Sequence, residues 1–265
     1  MTNRYTHGHS ESVLRSHRWR TAENSAAHLL PHLSPGQRLL DIGSGPGTLT
    51  ADLAARTAPG RATALEATPE ALDLTRAELE RRGVAAELVV GDVHDLALPD
   101  DSYDIVHAHQ VLQHVADPVG ALREMRRVCR PGGLVAARDS DYHGFVWHPA
   151  DEGLDAWMDL YQRLARANGG EPDAGRRLLS WAQAAGFAEI TASASVWCFT
   201  TAEDRAFWGG MWADRVRSSA FAEQALATGL ATEDDLDRMA DAWLAWAAEP
   251  GGWFTVLHGE ILARA

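Results

Sequence analysis

The sequence predicts an α/β fold: a Rossmann-like, doubly wound and mostly parallel sheet of about seven strands, the last one antiparallel, with helical cap insertions. Three observations predict it. Short apolar runs alternate with helical patterns from residue 38 to residue 138, the arrangement that builds a parallel sheet from strands and crossover helices. A glycine-rich turn, Asp41-Ile42-Gly43-Ser44-Gly45-Pro46-Gly47, closes the first of those runs. Acids stand at the ends of the next two, Glu66 and Asp92, on the sheet edge where such folds gather ligands.

The elements follow in order. Residues 11–33 read as a helix, with Leu14, Trp19, Ala22, Ala26 and Leu29 on one face and Pro31 near its stop. Residues 38–42 form a short buried strand; the glycine turn and a helix over 48–55 complete a strand, turn, helix unit. A second strand over 62–66 leads into a helix over 69–82, whose Pro69 suits a first helical position. Strands over 86–90 and 103–109, a helix over 118–129, the turn Pro131-Gly132-Gly133 and a strand over 134–138 continue the alternation. The pattern then loosens. Residues 142–183 hold two helical stretches, 189–200 a strand, 202–248 a long helical insertion and 253–265 a final strand. The division expected is an N-terminal helical lid (1–34), a cofactor-binding core (35–141), a first cap insertion (142–185), and C-terminal core strands (186–265) carrying a second cap insertion (202–248).

Composition narrows the function. The chain has 265 residues, enough for a full hydrophobic core. No apolar run approaches the roughly 20 residues of a membrane span. The start of the chain, Met1 to His9, is polar and lacks a secretory pattern, so a cytoplasmic protein is expected. A net charge of −13 works against nucleic acid, whose binding needs clustered cations, and favours a small-molecule substrate. Every basic residue is Arg; without Lys there is neither a Schiff-base enzyme nor a Walker lysine. Cys129 and Cys198 suggest neither a disulfide nor a zinc site. Two His-x-His pairs, His7/His9 and His107/His109, could share a strand face, but no carboxylate cluster completes a site, so no metal is expected.

The glycine spacing is Gly43-x-Gly45-x-Gly47 rather than the G-x-G-x-x-G of dinucleotide enzymes. Glycines let the backbone approach a ligand without a Cβ clash, and the following helix offers free N–H groups. Glu66 can accept from a ribose, and Asp92 from an adenine amino group. Asp41 either touches the cofactor or braces the loop.

Together, residues 39–47, Glu66, Gly91-Asp92, 102–114 and Arg130-Pro131-Gly132-Gly133 resemble a class I S-adenosylmethionine-dependent methyltransferase of the ubiquinone/menaquinone-biosynthesis-like type, over roughly residues 20–138 plus the last strand. The resemblance implies S-adenosyl-L-methionine as cofactor. It puts Asp41, Gly43, Ser44, Gly45 and Gly47 around methionine and ribose, Glu66 and Ala67 at the ribose, and Asp92 and Val93 at adenine. His109 and Gln110 come beside the cofactor, Arg20 on the methionine carboxylate, and Tyr5 over the methyl end as part of a lid.

The task that remains is in-line placement of an acceptor in a dry site. Where the acceptor must lose a proton, His109, His114 and His143 are the candidate bases. On the acceptor side the candidates are His7, Asp141, Trp147, Trp208 and Trp212, the tryptophans being either core or the wall of an aromatic pocket. Enzymes that methylate exocyclic amino nitrogens carry an Asn/Asp-Pro-Pro-aromatic motif after the fourth strand; here that position reads His109-Gln110-Val111-Leu112. O-, C- or amine N-methylation of a small metabolite by a monomer or homodimer is the reading that remains. A nicotinamide-dependent oxidoreductase and a methyltransferase fold in a non-methylating role, cyclase or binding partner, stay open.

Overall fold

The structure, a computed structural model, describes residues 11–265. Tyr5 and His7 lie outside the described residues. The strands are β1 (Leu39–Ile42), β2 (Ala62–Glu66), β3 (Glu87–Val90), β4 (Tyr103–His109), β5 (Cys129–Ser140), β6 (Val146–His148), β7 (Glu189–Phe199) and β8 (Trp253–Arg264). Their order in the sheet is β3-β2-β1-β4-β5-β8-β6, with β7 also on β8. β1 pairs parallel with β2 and β4, β2 with β3, and β4 with β5. Gly132 and Gly133, near the start of β5, exchange backbone hydrogen bonds with Ala265 just past the end of β8, so β8 runs antiparallel to β5. Two compact units divide the described residues: an α/β unit of residues 17–139, 174–195 and 258–265, and a helical unit of residues 11–16, 140–173 and 196–257.

Local chemistry explains the elements of the α/β unit. Helix α3 (Thr48–Thr57) begins directly after the glycine turn. Helix α4 (Pro69–Arg82) starts where the Thr68 hydroxyl accepts from the Ala71 N–H, with Pro69 at its first position, and it stops at left-handed Gly83. Helix α5 (Pro118–Val128) starts the same way, with Asp117 as cap and Pro118 at its first position. The helix expected over 11–33 is instead broken into α1 (Glu11–Arg18), α2 (Ala22–Ser25) and a 3₁₀ turn over Leu30–His32. The break has a cause: Thr21 and Asn24 close a reciprocal capping box that starts a new helix. The sequence reading also starts β5 later than the structure, where Cys129 pairs with Tyr103 of β4 across a bulge and Gly132 and Gly133 bond Ala265.

The two faces of the sheet differ. Leu40, Ile42, Val106, Ala108, Val135 and Ala137 pack with α5 and with α7 (Leu178–Ala184) in an apolar layer. On the other face Leu39, Ile105 and Ala136 pack against Leu29, Leu49 and Leu53. Because side chains alternate, the next residues on that face are Asp41, His107, His109 and Arg138. The second face is apolar at the amino ends of the strands and polar at their carboxyl ends.

The helical unit contains α6 (Glu152–Ala167), α8 (Ala202–Ser218), α9 (Ala220–Ala227) and α10 (Glu233–Ala248), with β6 antiparallel on Trp253–Thr255. Capping boxes at Thr201 and Thr232 start α8 and α10. Its core is aromatic: Trp157 meets Trp212 and Trp243 edge-on, with ring centroids 4.6 and 4.8 Å apart. Among the described residues no helix is long and apolar enough to cross a membrane.

Candidate functional site

The three glycines of the turn all have left-handed backbones, with φ of 71°, 54° and 83° at Gly43, Gly45 and Gly47. Their reasons differ. A Cβ on Gly43 would lie 2.4 Å from Val111 Cγ2, and one on Gly47 would lie 2.9 Å from Thr75 Cα. A Cβ on Gly45 would meet nothing nearer than His17 Nδ1 at 3.9 Å. The outer glycines are therefore fixed by packing, while the middle one faces open space that a ligand can use.

Polar groups hold the turn open. The Gly45 N–H donates to Glu66 Oε1 at 2.6 Å, and the N–H groups of Gly43 and Ser44 donate to Leu65 O. Glu66 Oε2 accepts from the Ala67 N–H at 3.2 Å. The Ser44 hydroxyl bonds Thr75 Oγ1 at 2.9 Å, and that hydroxyl donates to Gly45 O. Asp41 is buried, with Oδ1 2.7 Å from His107 Nδ1 and Oδ2 accepting from the Thr50 hydroxyl. Of its two sequence readings, the geometry matches the brace: both oxygens are engaged, one by β4 and one by α3.

Glu66 pairs in register with Val90 of β3, and the Gly91 N–H donates to Glu66 O, so Glu66 and Asp92 share one sheet edge. Asp92 has an exposed carboxylate whose Oδ1 accepts from the His94 N–H at 2.9 Å and meets His94 Nδ1 at 2.7 Å. These bonds hold it below the usual carboxylate range. Val93 beside it is buried and Ala67 is exposed.

Past β4 the polar face converges. Gln110 has a left-handed backbone (φ 55°), which costs a non-glycine residue about 1–2 kcal/mol. Three bonds hold it there: its N–H to Arg138 O at 2.7 Å, its Oε1 from Arg20 at 2.6 Å, and its Nε2 with His258 Nε2 at 2.9 Å. The His109 and His258 rings are 6.1 Å apart. Burial, with the Arg20 and Arg138 charges, holds His109 well below its ordinary pKa. His114 is half-buried, and burial with the Arg20 charge pushes its ring down to about 3.

Sequence reasoning missed several residues. Arg138 pairs with Glu260 of β8 at 3.2 Å, and the Ser193 and Ser195 hydroxyls donate to the same carboxylate. Burial pushes Arg138 down to about 10 and nearby His28 to about 4. Burial also works to raise Glu260, but the two serines, His28 and Arg138 outweigh it and hold its pKa low. Asp139, fully buried, accepts from the Gln113 N–H at 3.0 Å, yet burial pushes its carboxyl up to about 7. Alternation along β8 was the available signal: His258 and Glu260 share a face opposite Ile261 and Ala263.

Thus Arg20, Asp41, the glycine turn, Glu66, Ala67, Asp92, Val93, His109, Gln110 and His114 belong to the α/β unit. Asp141, His143, Trp147, Trp208 and Trp212 belong to the helical unit. There His143 Nδ1 is held by Asp173 Oδ2 at 2.7 Å while its ring stays half exposed. Burial works to raise Asp173, but bonds from His143 and Gln162 bring it to about 2. Trp208 stacks on Phe199, and Trp212 stacks on Trp243 with the Arg215 guanidinium 4.5 Å from its ring, so both rings serve the core. Trp147 is half-buried against Phe254, and Asp141 is buried.

A family model described as a methyltransferase domain matches residues 40–137. An uncharacterized methyltransferase of Schizosaccharomyces pombe is 33% identical over 272 residues, 98% of this chain and 96% of that protein. A ubiquinone/menaquinone biosynthesis C-methyltransferase of a Ruegeria species is 33% identical over 129 residues, 48% of this chain and 49% of that protein. Among solved structures, phosphoethanolamine N-methyltransferase 2 of Haemonchus contortus, bound to phosphomonomethylethanolamine and S-adenosylhomocysteine, superposes with a TM-score of 0.54. The identity there is 17%, over 90% of this chain and 51% of that one. The cyclase SpnF superposes with a TM-score of 0.51 at 19% identity, over 98% of this chain and 87% of that one. At such identities these two show the fold alone. Turn spacing, strand order and a relative alike over its whole length agree that the chain belongs to the class I S-adenosylmethionine-dependent methyltransferase family.

Proposed function

We propose that the protein transfers the methyl group of S-adenosyl-L-methionine to an oxygen, acidic carbon or amine nitrogen of a small-molecule acceptor, leaving S-adenosyl-L-homocysteine. The observation that carries this reading is the Glu66 carboxylate held at 2.6 Å on the N–H of left-handed Gly45, beside open space. That arrangement sets two acceptor oxygens at the rim of a backbone cradle, which suits the paired hydroxyls of a ribose. Asp92 and the Val93 backbone then read adenine, Arg20 takes the methionine carboxylate, and Gln110 fixes Arg20 through their hydrogen bond. Asp41 positions the turn through His107 and Thr50. The sulfonium supplies a methyl that is already activated, so the chain's work is to orient the acceptor and exclude water.

Of the candidate bases, His143 belongs to the helical unit, where Asp173 fixes its ring through Nδ1. His109 and His114 stay neutral and act as polar wall. The acceptor-side candidates Asp141 and Trp147 belong to the helical unit. An acceptor other than nucleic acid fits the charge of −13.

Calorimetric titration tests the cofactor. S-adenosylhomocysteine should bind and NAD should not, and Glu66→Ala should weaken the former by about 1–3 kcal/mol. NAD binding without S-adenosylhomocysteine binding would reject the reading. Release of S-adenosylhomocysteine with labelled acceptor tests the transfer itself.

A further inference from the structure

Two oxygen atoms in the α/β unit are buried with no hydrogen-bond partner among the described residues: Oδ2 of Asp139 and Oε1 of Gln113. They belong to one small region, because Asp139 Oδ1 accepts from the Gln113 backbone N–H at 3.0 Å. Both residues are more than nine-tenths buried. Asp139 lies near the carboxyl end of β5, and Gln113 in the 3₁₀ turn (Leu112–His114) just after β4. That turn adjoins the cofactor cradle, since Val111 packs on Gly43 and Gln110 bonds Arg20.

The Gln113 amide sits beside one ring nitrogen of His114. Burial keeps His114 neutral, and in the tautomer protonated on Nδ1 its Nε2 accepts from Gln113 Nε2 at 3.0 Å, which leaves Oε1 as the spare acceptor. Leaving two buried acceptors unmade costs about 1–3 kcal/mol each unless a ligand supplies donors. The charges that Asp139 faces within the unit are Arg138 of β5 and Arg20. Burial pushes its carboxyl up to about 7, against the backbone N–H groups of Gln113 and Leu112 and the charges of Arg138 and Arg20, neither of which ion-pairs with it at short range.

We infer that Asp139 Oδ2 and Gln113 Oε1 bind the methyl acceptor, that the acceptor is a primary or secondary amine, and that Asp139 is its proton acceptor. The inference rests on the cofactor reading above. Two neighbouring acceptor oxygens suit a group with two hydrogens on one atom; a primary amine or the ammonium of a primary or secondary amine has them, a hydroxyl has one and an acidic carbon offers no comparable pair. The step balances as follows. The ammonium gives one proton to the Asp139 carboxylate, and the freed lone pair forms the new N–CH₃ bond. The C–S bond breaks with its electron pair going to sulfur. The product leaves as an ammonium, and Asp139 returns its proton to water.

The test pairs amines with matched alcohols, such as 2-phenylethylamine with 2-phenylethanol and linear alkylamines with their alcohols, titrated into the full chain with S-adenosylhomocysteine bound. The expected result is amine binding at least tenfold tighter than alcohol binding. Asp139→Asn should lose at least 30-fold of the amine affinity while S-adenosylhomocysteine affinity stays within twofold. Labelled methyl transfer to the amine should fall at least 100-fold, and the acid limb of kcat/KM near pH 7 should vanish. If Asp139→Asn does not fold, Gln113→Leu keeps the charge and the backbone brace, and should weaken amines five- to tenfold but not alcohols. Equal binding of alcohols, no binding of any amine, or an unchanged amine affinity and pH limb in Asp139→Asn would make Asp139 a brace only and overturn the inference. Failure of S-adenosylhomocysteine to bind the wild-type chain would instead overturn the cofactor reading.

Discussion

The buried histidines set the acid limit of this fold. Burial lowers His28 to about 4 and His114 to about 3, and holds His109 well below its ordinary value. As pH falls below about 6.5 the unfolded chain binds protons that the folded chain refuses, so stability drops until the folded pKa is reached. Each group adds at most about 1.4 kcal/mol per pH unit to that slope. Urea unfolding at pH 7, 6 and 5 should show the fall, and His28→Gln should flatten it; an unchanged slope would remove His28 from the account. Asp139 acts with the opposite sign. Its raised pKa penalises the ionised folded form, so stability declines as pH rises from about 4 to 7. Asp139→Asn should therefore gain about 1–4 kcal/mol at pH 8 in the same measurement. At this scale the sequence showed Glu66 and Asp92, because each ends a readable strand. It could not show what Asp41 does, because its partner His107 lies 66 positions away, nor Asp173, which reaches His143 across 30.

Among elements, the glycine turn separates conformation from space. Gly45→Ala meets only the cost of a left-handed backbone, about 1–2 kcal/mol, but puts a methyl into the open space of the cradle. Gly47→Ala adds a backbone clash with Thr75, 2.9 Å from the new Cβ. Thermal unfolding should thus register Gly47→Ala as the more destabilised, by a further 1–3 kcal/mol or about that. S-adenosylhomocysteine titration should find the larger loss per unit of stability in Gly45→Ala. The reverse order would show that the cradle does not open at Gly45. The turn and the crossover helices were legible because their glycines, prolines and caps are local. The break at Thr21 was not, because the apolar spacing runs on from Leu14 to Leu29 across a capping box that interrupts it. β6, three residues long, carries no period and forms only on Trp253–Thr255. Trp208 and Trp212 were legible as one helix face and as candidate core, but not their partners Phe199 and Trp243, which come from other elements.

For the whole chain, the decisive feature is the antiparallel return of β8, which places the end of the sequence beside β5. It brings His258 to Gln110, 148 positions away, and Glu260 to Arg138, 122 positions away. No local pattern encodes those meetings, which is why the polar carboxyl end of the second face could be foreseen on β1 to β4 but not completed. The Arg138–Glu260 pair, about 1% and 5% exposed, closes that face at the cost of desolvating two charges. Removing one partner leaves the other buried and uncompensated: Glu260→Gln or Arg138→Met should each cost about 3–5 kcal/mol. Replacing both, Arg138→Met with Glu260→Leu, should recover most of that loss, because an apolar pair of similar volume needs no solvation. A double-mutant cycle read by chemical denaturation decides it, a coupling energy near zero excluding the pair as a unit. Gln110 is held by the Arg138 backbone carbonyl, His258 and Arg20, none of which the double variant removes, so that variant should fold and keep wild-type affinity for S-adenosylhomocysteine unless the buried pair itself positions these neighbours. Stability recovered without affinity would mean that the buried pair is retained to hold the cofactor's neighbours in place rather than to stabilise the sheet.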